Sequence, residues 1–165
     1  MEYAKIATQN LQKQITPHDE DIEDYYKSQI GKFYVEERFR ASHILFRIDT
    51  KSFDSISNDN EREKKREEAE KEARKRAKNI LKKIREGTDF DETAKLHSDD
   101  KTSGANGGDL GQFPRGTMVP EFEKALLKLK LEEISDPVKT PFGYHIIRLT
   151  ERKKAHTLPL GEVKE

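Results

Sequence analysis

An α+β domain built on a mostly antiparallel sheet is what this sequence predicts, and three observations predict it. Stretches of alternating apolar residues interleave with stretches of helical period, in the order helix, helix, strand, long helix, short helix, strand, helix, strand, strand. The last two strands are separated by "PFG" at 141–143, a turn short enough to make them a hairpin. With 32% hydrophobic and 39% charged residues in a chain of 165, the apolar material suffices for one small core.

Each element has a local reason. Ala4, Ala7, Leu11 and Ile15 recur at spacings of three and four and draw a weak apolar stripe along a first helix. Thr16 and Pro17 then fit the N-cap and first position of a second helix, whose acids Asp19, Glu20 and Asp21 complement the helix dipole. That helix shows Ile22, Tyr25, Tyr26 and Ile30 and is expected to stop at Gly31. In "FRASHILFRI", Phe39, Ala41, His43 and Leu45 share one face while Ile44, Phe46 and Ile48 take the other, the pattern of a central strand buried on both sides.

After the polar stretch "DTKSFDSISNDN" comes a long helix. Its apolar positions Ala69, Ala73, Ala77, Ile80, Leu81 and Ile84 keep helical spacing up to Gly87, and its first turns, "EREKKREE", are expected to stand in water on ion pairs. Phe90 to His97 reads as a short helix capped by Asp89, and "SDDKTSGANGGD" as a loop. "LGQF" is extended, and "VPEFEKALLKL" returns to helical period through Phe122, Ala125, Leu126 and Leu129. "EISDPVKT" and "GYHIIRLTE" form the hairpin, with His145, Ile147 and Leu149 facing one way. The tail "HTLPLGEVKE" begins a pattern that stops short of a full helix, so the chain reads as a piece of something longer.

Composition narrows the function classes. Lys plus Arg equals Asp plus Glu at 32 each, so no net field gathers nucleic acid, and none is expected as a partner. Twelve basic against seven acidic residues between Glu61 and Glu86 read as a solvated helix face. The absence of cysteine removes disulfides, thiolate nucleophiles and Cys-ligated zinc. The five histidines lack ligand spacings such as H-E-x-x-H, so no metal and no cofactor are expected. No apolar run approaches a membrane span, and direct membrane insertion is not expected of this chain.

Two groups of residues carry chemistry. His43 and His145 fall on inward positions of the first and last strands and meet if those strands are neighbours. As a pair they read either as core histidines ordering the sheet through a shared partner such as Thr140, or as part of a site. "GGDLGQFPRG" at 107–116 sets Leu110 and Phe113 among glycines, which reads either as a tight turn packing core side chains or as a flexible approach to a ligand. Asp100 by itself is a turn-capping residue.

Read in order, "ASHIL", "GGDLGQFPRGTMVPEFEKA" and "DPVKTPFGYHIIRL" resemble the parvulin family of peptidyl-prolyl cis-trans isomerases over roughly residues 38 to 152. The resemblance implies an FKBP-like superfold, a four-stranded antiparallel sheet surrounded by helices, with a cleft for an X-Pro bond. It places His43 and His145 as the paired histidines, with Thr140 in their network and Asp100 where some parvulins carry a cysteine and others an aspartate. Leu110, Met118 and Phe122 become the proline pocket and Phe113 a supporting aromatic. The implied activity is isomerisation of X-Pro bonds in unfolded or folding polypeptides. A barrier of about 20 kcal/mol is crossed there by binding the pyrrolidine ring and favouring the twisted amide, with no bond to carbon made or broken.

Phosphate-directed parvulins carry a basic cluster soon after the first strand. Here only Arg47 and Lys51 lie there, so unphosphorylated substrates are expected. Residues 1–34 are expected to be a helical extension, 35–153 the isomerase domain, and 154–165 a tail leading to a further segment. The flanks resemble those of bacterial extracytoplasmic foldases of the SurA, PrsA and PpiD kind, which implies an envelope or periplasmic location and further chaperone segments. A peptide-binding chaperone module on the same fold, without catalysis, is the alternative.

Overall fold

The chain alternates helix and strand in the order its periodicities predict. The structure is a computed structural model that describes residues 18–163; the helix expected over residues 3–15, with Thr16 and Pro17, lies outside the described residues. In chain order the elements are α1 (Asp19–Ser28), a 3-10 turn (Ile30–Phe33), β1 (Tyr34–Val35), β2 (Arg38–Arg47), a second 3-10 turn (Lys51–Phe53) and α2 (Asp59–Arg85). There follow α3 (Phe90–His97), α4 (Lys101–Gly104), β3 (Asp109–Pro114), α5 (Pro120–Leu126), β4 (Val138–Thr140), β5 (Gly143–Lys153), β6 (His156–Thr157) and α6 (Leu160–Val163).

Two compact units divide the chain, one from Glu36 to Lys154, the other made of the segments before and after it. In the second unit β1 pairs antiparallel with β6, Tyr26 stacks on Phe33 at 5.2 Å, and the Tyr26 hydroxyl donates to the Leu158 carbonyl at 2.7 Å. α1 buries no side chain and ends at Ser28 rather than Gly31. Half-exposed Ile30 gives no burial to prolong it, and the chain tightens into the 3-10 turn.

In the larger unit the strand order is β3-β2-β5-β4, antiparallel throughout. This is the four-stranded sheet of the predicted α+β fold. β2 and β5 are central and nearly continuously buried, which explains why neither shows the polar-out alternation of a one-sided sheet. One face carries Ile44, Phe46, Tyr144 and Ile146 against Ala73, Ala77, Ile80, Leu81 and Ile84 of α2, with Phe90 and Ala94 of α3. The other carries Phe39, Ala41, Ile147 and Leu149 against Phe113, Phe122 and Leu126. A register shift between Arg40 and Ala41 leaves Thr150 of β5 without a partner residue on β2.

Asp89 caps α3 as the sequence predicts, Asn58 caps α2 without having been singled out there, and α1 begins at Asp19 with His18 as its N-cap, two residues after the expected Thr16. Asn58 accepts from the amides of Asn60 and Glu61 at the start of α2, and Asp89 from that of Glu92 at the start of α3. Other elements also differ from expectation, and of the strand predicted over residues 133–140 only Val138–Thr140 forms. The stretch after Ser98, read as pure loop, contains the single-turn helix α4 with Asp100 as its N-cap. α5 ends at Leu126, beyond which i to i+3 bonds from Lys128 and Leu129 tighten the chain.

Candidate active site

Antiparallel pairing of β2 and β5 sets Leu45 opposite His145 and His43 opposite Ile147, so the two histidines are diagonal neighbours on one face. Their rings lie 5.2 Å apart between centroids, with Nδ1 of each 3.0 Å from Nδ1 of the other. Both side chains are buried. His43 Nε2 lies 2.9 Å from Asp100 Oδ2 and 3.0 Å from Ser103 Oγ, while His145 Nε2 lies 2.8 Å from Thr140 Oγ1. The backbone N–H of Phe142 donates to that same hydroxyl at 3.2 Å.

Asp100 serves two masters with its two oxygens. Oδ1 accepts the amides of Thr102 and Ser103 at the head of α4, and Oδ2 faces His43 and accepts the Ser103 hydroxyl at 2.6 Å. The two residues before it pin this segment to β2. Fully buried Ser98 accepts the Leu45 amide through Oγ, and the Asp99 amide donates to the Leu45 carbonyl at 2.8 Å. The Asp99 carboxylate accepts the Arg47 amide and both terminal nitrogens of Arg76, whose guanidinium also lies 5.4 Å above the Phe46 ring.

These contacts fix the direction of the protons. Burial would raise the Asp100 carboxyl, but hydrogen bonds from Ser103 and His43 outweigh it and hold the group down at about 2. Burial lowers His43 despite Asp100, and lowers His145 to about 4 with help from the neighbouring His43. At neutral pH the carboxylate is therefore charged and both rings are neutral. A carboxylate cannot donate, so His43 carries its proton on Nε2 and accepts at Nδ1. His145 must then donate from Nδ1 and accept the Thr140 hydroxyl at Nε2. Four bonds point one way, from the Phe142 amide to the Asp100 carboxylate.

Phe122 from α5 joins this network to the apolar cluster. Its ring stands edge-on to both imidazoles, 6.0 Å from His43 and 5.6 Å from His145. Leu110 and Met118, both partly exposed, pack into the same cluster, and buried Phe113 leans on Phe39 across the β2–β3 pair at 6.3 Å. All eight residues singled out in the sequence thus lie on one face of the sheet or along its rim. The apolar ones form a buried floor of Phe113 and Phe122 and an accessible edge of Leu110 and Met118.

The glycines before β3 have a different role from the expected approach to a ligand. The Gly108 carbonyl accepts the His43 amide at 2.9 Å, and at φ +82° a Cβ on Gly108 would fall 2.2 Å from the His43 oxygen. At Gly107 a Cβ would meet Asp91 at 2.8 Å. Their smallness brings β3 against the protein's own strand beneath the imidazole. Gly111 and Gly116, further along the same stretch, face open space.

Ser98, Ser103 and Arg76 escaped the sequence reading. A signal for Ser103 existed: Asp100 followed three residues later by Ser103 is N-cap spacing, hidden inside a glycine-rich stretch. Among the described residues no group of three or more His, Asp or Glu side chains is placed to hold a metal ion.

Comparison with known proteins agrees with the geometry. The family model for the PPIC-type PPIASE domain matches residues 26–153. The chain is 38% identical over 147 residues to the foldase protein PrsA of Geobacillus sp. (strain WCH70), covering 89% of this chain and 41% of that protein. A crystal structure of the peptidylprolyl isomerase PrsA from Bacillus anthracis superposes with a TM-score of 0.53 at 39% identity, over 89% of this chain and 51% of that one. One of the SurA-like chaperones of Campylobacter jejuni gives a TM-score of 0.62 at 27% identity, over 94% of this chain and 55% of that one. The chain spans less than half the length of the PrsA sequence it matches. With the sheet order, the paired histidines and a matched span that includes them both, the chain belongs to the PPIC-type peptidyl-prolyl cis-trans isomerase family.

Proposed function

We propose that this chain accelerates cis-trans rotation about X-Pro bonds of unfolded or folding polypeptides, and that its site is the face described above. The observation that carries the reading is the contact of Phe122 with both imidazoles, which sets an apolar floor directly beside two buried, neutral rings. Leu110, Met118 and Phe122 hold the pyrrolidine ring, with Phe113 beneath them. Met118 at the accessible edge adapts to different neighbours of proline through its flexible thioether.

Rotation breaks amide resonance, so the twisted carbonyl is less polar and its nitrogen more basic than in the planar amide. A dry slot therefore favours the twisted form. His43 and His145 hold the shape of that slot, Thr140 and Asp100 fix their tautomers, and Asp100 is the one charged group beside the turning carbonyl. Desolvation and shape supply the acceleration in this reading, and no proton is transferred.

Substrates are unphosphorylated. Arg47 at the end of β2 and Lys51 after it are both exposed, with no third cation clustered beside them in the sequence. Turnover of a phosphoserine-Pro peptide is expected not to exceed that of its plain counterpart; a large phosphate preference overturns this part. The parent protein is read as an extracytoplasmic foldase with further chaperone segments. Support comes from the PrsA relatives, from the SurA-like neighbours, one of which is named as periplasmic, and from the absence among described residues of a helix long and apolar enough to cross a membrane.

The test is cis-trans exchange measured by NMR on an Ala-X-Pro-Phe peptide series. The wild-type chain is expected to speed exchange, and Met118→Ala to lower kcat/KM by about tenfold or more, since truncating the edge removes apolar contact made with the ring. Met118 is only partly buried, so the fold survives the change. Binding of the peptides without faster exchange establishes instead the chaperone module on this fold.

A further inference from the structure

The charges of α2 are not spread evenly. From Ala73 to Arg85 there are seven cations and no acid, in a chain whose total charges balance. Helical spacing gathers Lys71, Arg74, Lys75, Lys78, Lys82 and Arg85 on one flank, beside the stripe that packs on the sheet. Lys71 reaches Glu67 and Lys82 reaches Glu86 only at 3.8 Å, and Arg85 pairs with Asp136 at 2.9 Å. Lys75 and Lys78 form no salt bridge among the described residues, and Arg74 acts on Glu70 only through space, that carboxylate being paired with Lys139 at 2.6 Å. A hollow runs between this flank and the turn at Asp136 and Pro137, lined also by Arg74, Lys78, Leu81, Lys82, Arg85 and Glu86, so that four cations face two acids there, and a second hollow shares Arg74 and Lys78 with it.

We propose that this flank of α2 is a second docking site that takes an acidic stretch of an extended polypeptide. The pitch decides the class of partner. Arg74, Lys78 and Lys82 stand four residues apart, a rise of about 6 Å per step along a helix. Alternate side chains of an extended strand repeat at about 6.7 Å on one side, so every second carboxylate of a Glu-x-Glu-x-Glu segment meets a cation in turn. The hollow is concave, which admits a single strand; a bilayer is flat and rests only on the outer ridge.

The position suits a client held at the prolyl site, and this part rests on the proposed isomerase function. α2 covers the sheet face opposite His43 and His145. The Asp136–Pro137 wall leads into β4, the sheet edge, where Val138 lies opposite His145. An extended chain passes from one face to the other around that edge. Acidic clients are thereby tethered, which raises the local concentration of their X-Pro bonds.

The experiment uses the full chain with an acetylated (Glu-Ser)5 peptide, a (Gln-Ser)5 control, vesicles containing phosphatidylglycerol, and an oligothymidylate of equal charge, read by NMR titration. The glutamate peptide is expected to shift α2 resonances while the glutamine peptide does not. Its affinity should fall about tenfold between roughly 50 and 300 mM NaCl, because exposed pairs are screened. The triple variant Arg74→Gln, Lys78→Gln, Lys82→Gln, which keeps good helix formers, should lose about tenfold or more in affinity while exchange on a short neutral Ala-X-Pro-Phe peptide is unchanged. Equal binding of the two peptides, indifference to the triple variant, or tighter binding of vesicles or oligothymidylate overturns the proposal. Exchange on the neutral peptide reads the isomerase alone, so failure there leaves the docking result standing.

Discussion

Gly108→Ala is expected to destabilise the protein by about 3 kcal/mol or more, lowering Tm by roughly 10 °C or preventing folding. The added methyl would sit 2.2 Å from the His43 carbonyl oxygen, a backbone atom of a central strand that no side-chain rotation can clear. The backbone at φ +82° adds the strain an L-residue meets in that region. Gly111→Ala is the control. It shares positive φ at +69° but has nothing within 4 Å of the new atom, so it should cost about 1 kcal/mol. Thermal melts of the two variants separate backbone strain from collision. Equal losses in both would mean that β3 does not press on β2 as described.

Stability is expected to decline by on the order of 3 kcal/mol as pH falls from about 6.5 to about 4, through His145. The folded chain holds this imidazole at about 4 against 6.5 for a free histidine, so in that window the unfolded chain binds the additional proton. The stability is complete above about 6.5 and drains as pH drops through the window. His43, also lowered by burial, acts in the same direction. Asp100 acts in a separate window: held at about 2 against 3.8, its contribution is intact above 3.8 and is lost only as pH falls toward 2. Urea unfolding between pH 7 and pH 4.5 reads the histidine window alone. His145→Gln should reduce the slope to what His43 contributes, and Asp100→Asn should not weaken it, because Asp100 raises both imidazoles; a wild-type profile that is flat over this range refutes neutral buried imidazoles.

The buried network also shows why the histidine pair is more than a packing feature. Two neutral rings joined Nδ1 to Nδ1 have no inherent direction, and the sense of the chain is imposed by one carboxylate that is itself held charged by a helix cap and a serine. Asp100 is therefore a capping residue and a network residue at once. The sequence offered these as alternatives, and one oxygen fills each role.

Much of the fold was written in local pattern. The two-sided apolar run from Phe39 to Phe46, the spacing of Ala73, Ala77, Ile80, Leu81 and Ile84, the cap Asp89, and the hairpin at 141–143 each follow from forces acting within a few residues, so period and propensity suffice to read them. The helix ends were less legible. Ser28 and Leu126 terminate their helices because nothing beyond them is buried enough to stabilise another turn, and burial is a property of the whole molecule.

The sequence by itself determined which side chains share a face: His43 with Ala41 and Leu45, His145 with Ile147 and Leu149, Phe122 with Leu126. Alternation and helical period follow from backbone geometry alone. Only the tertiary structure decided that the two histidines touch, that Ser103 and Asp100 complete their network, and that glycines 107 and 108 serve close packing of the chain on itself. Each of those depends on strand register and on the approach of segments some sixty to a hundred residues apart, as in His43 to Asp100 and His43 to His145, and register is set by the sum of all contacts in the sheet.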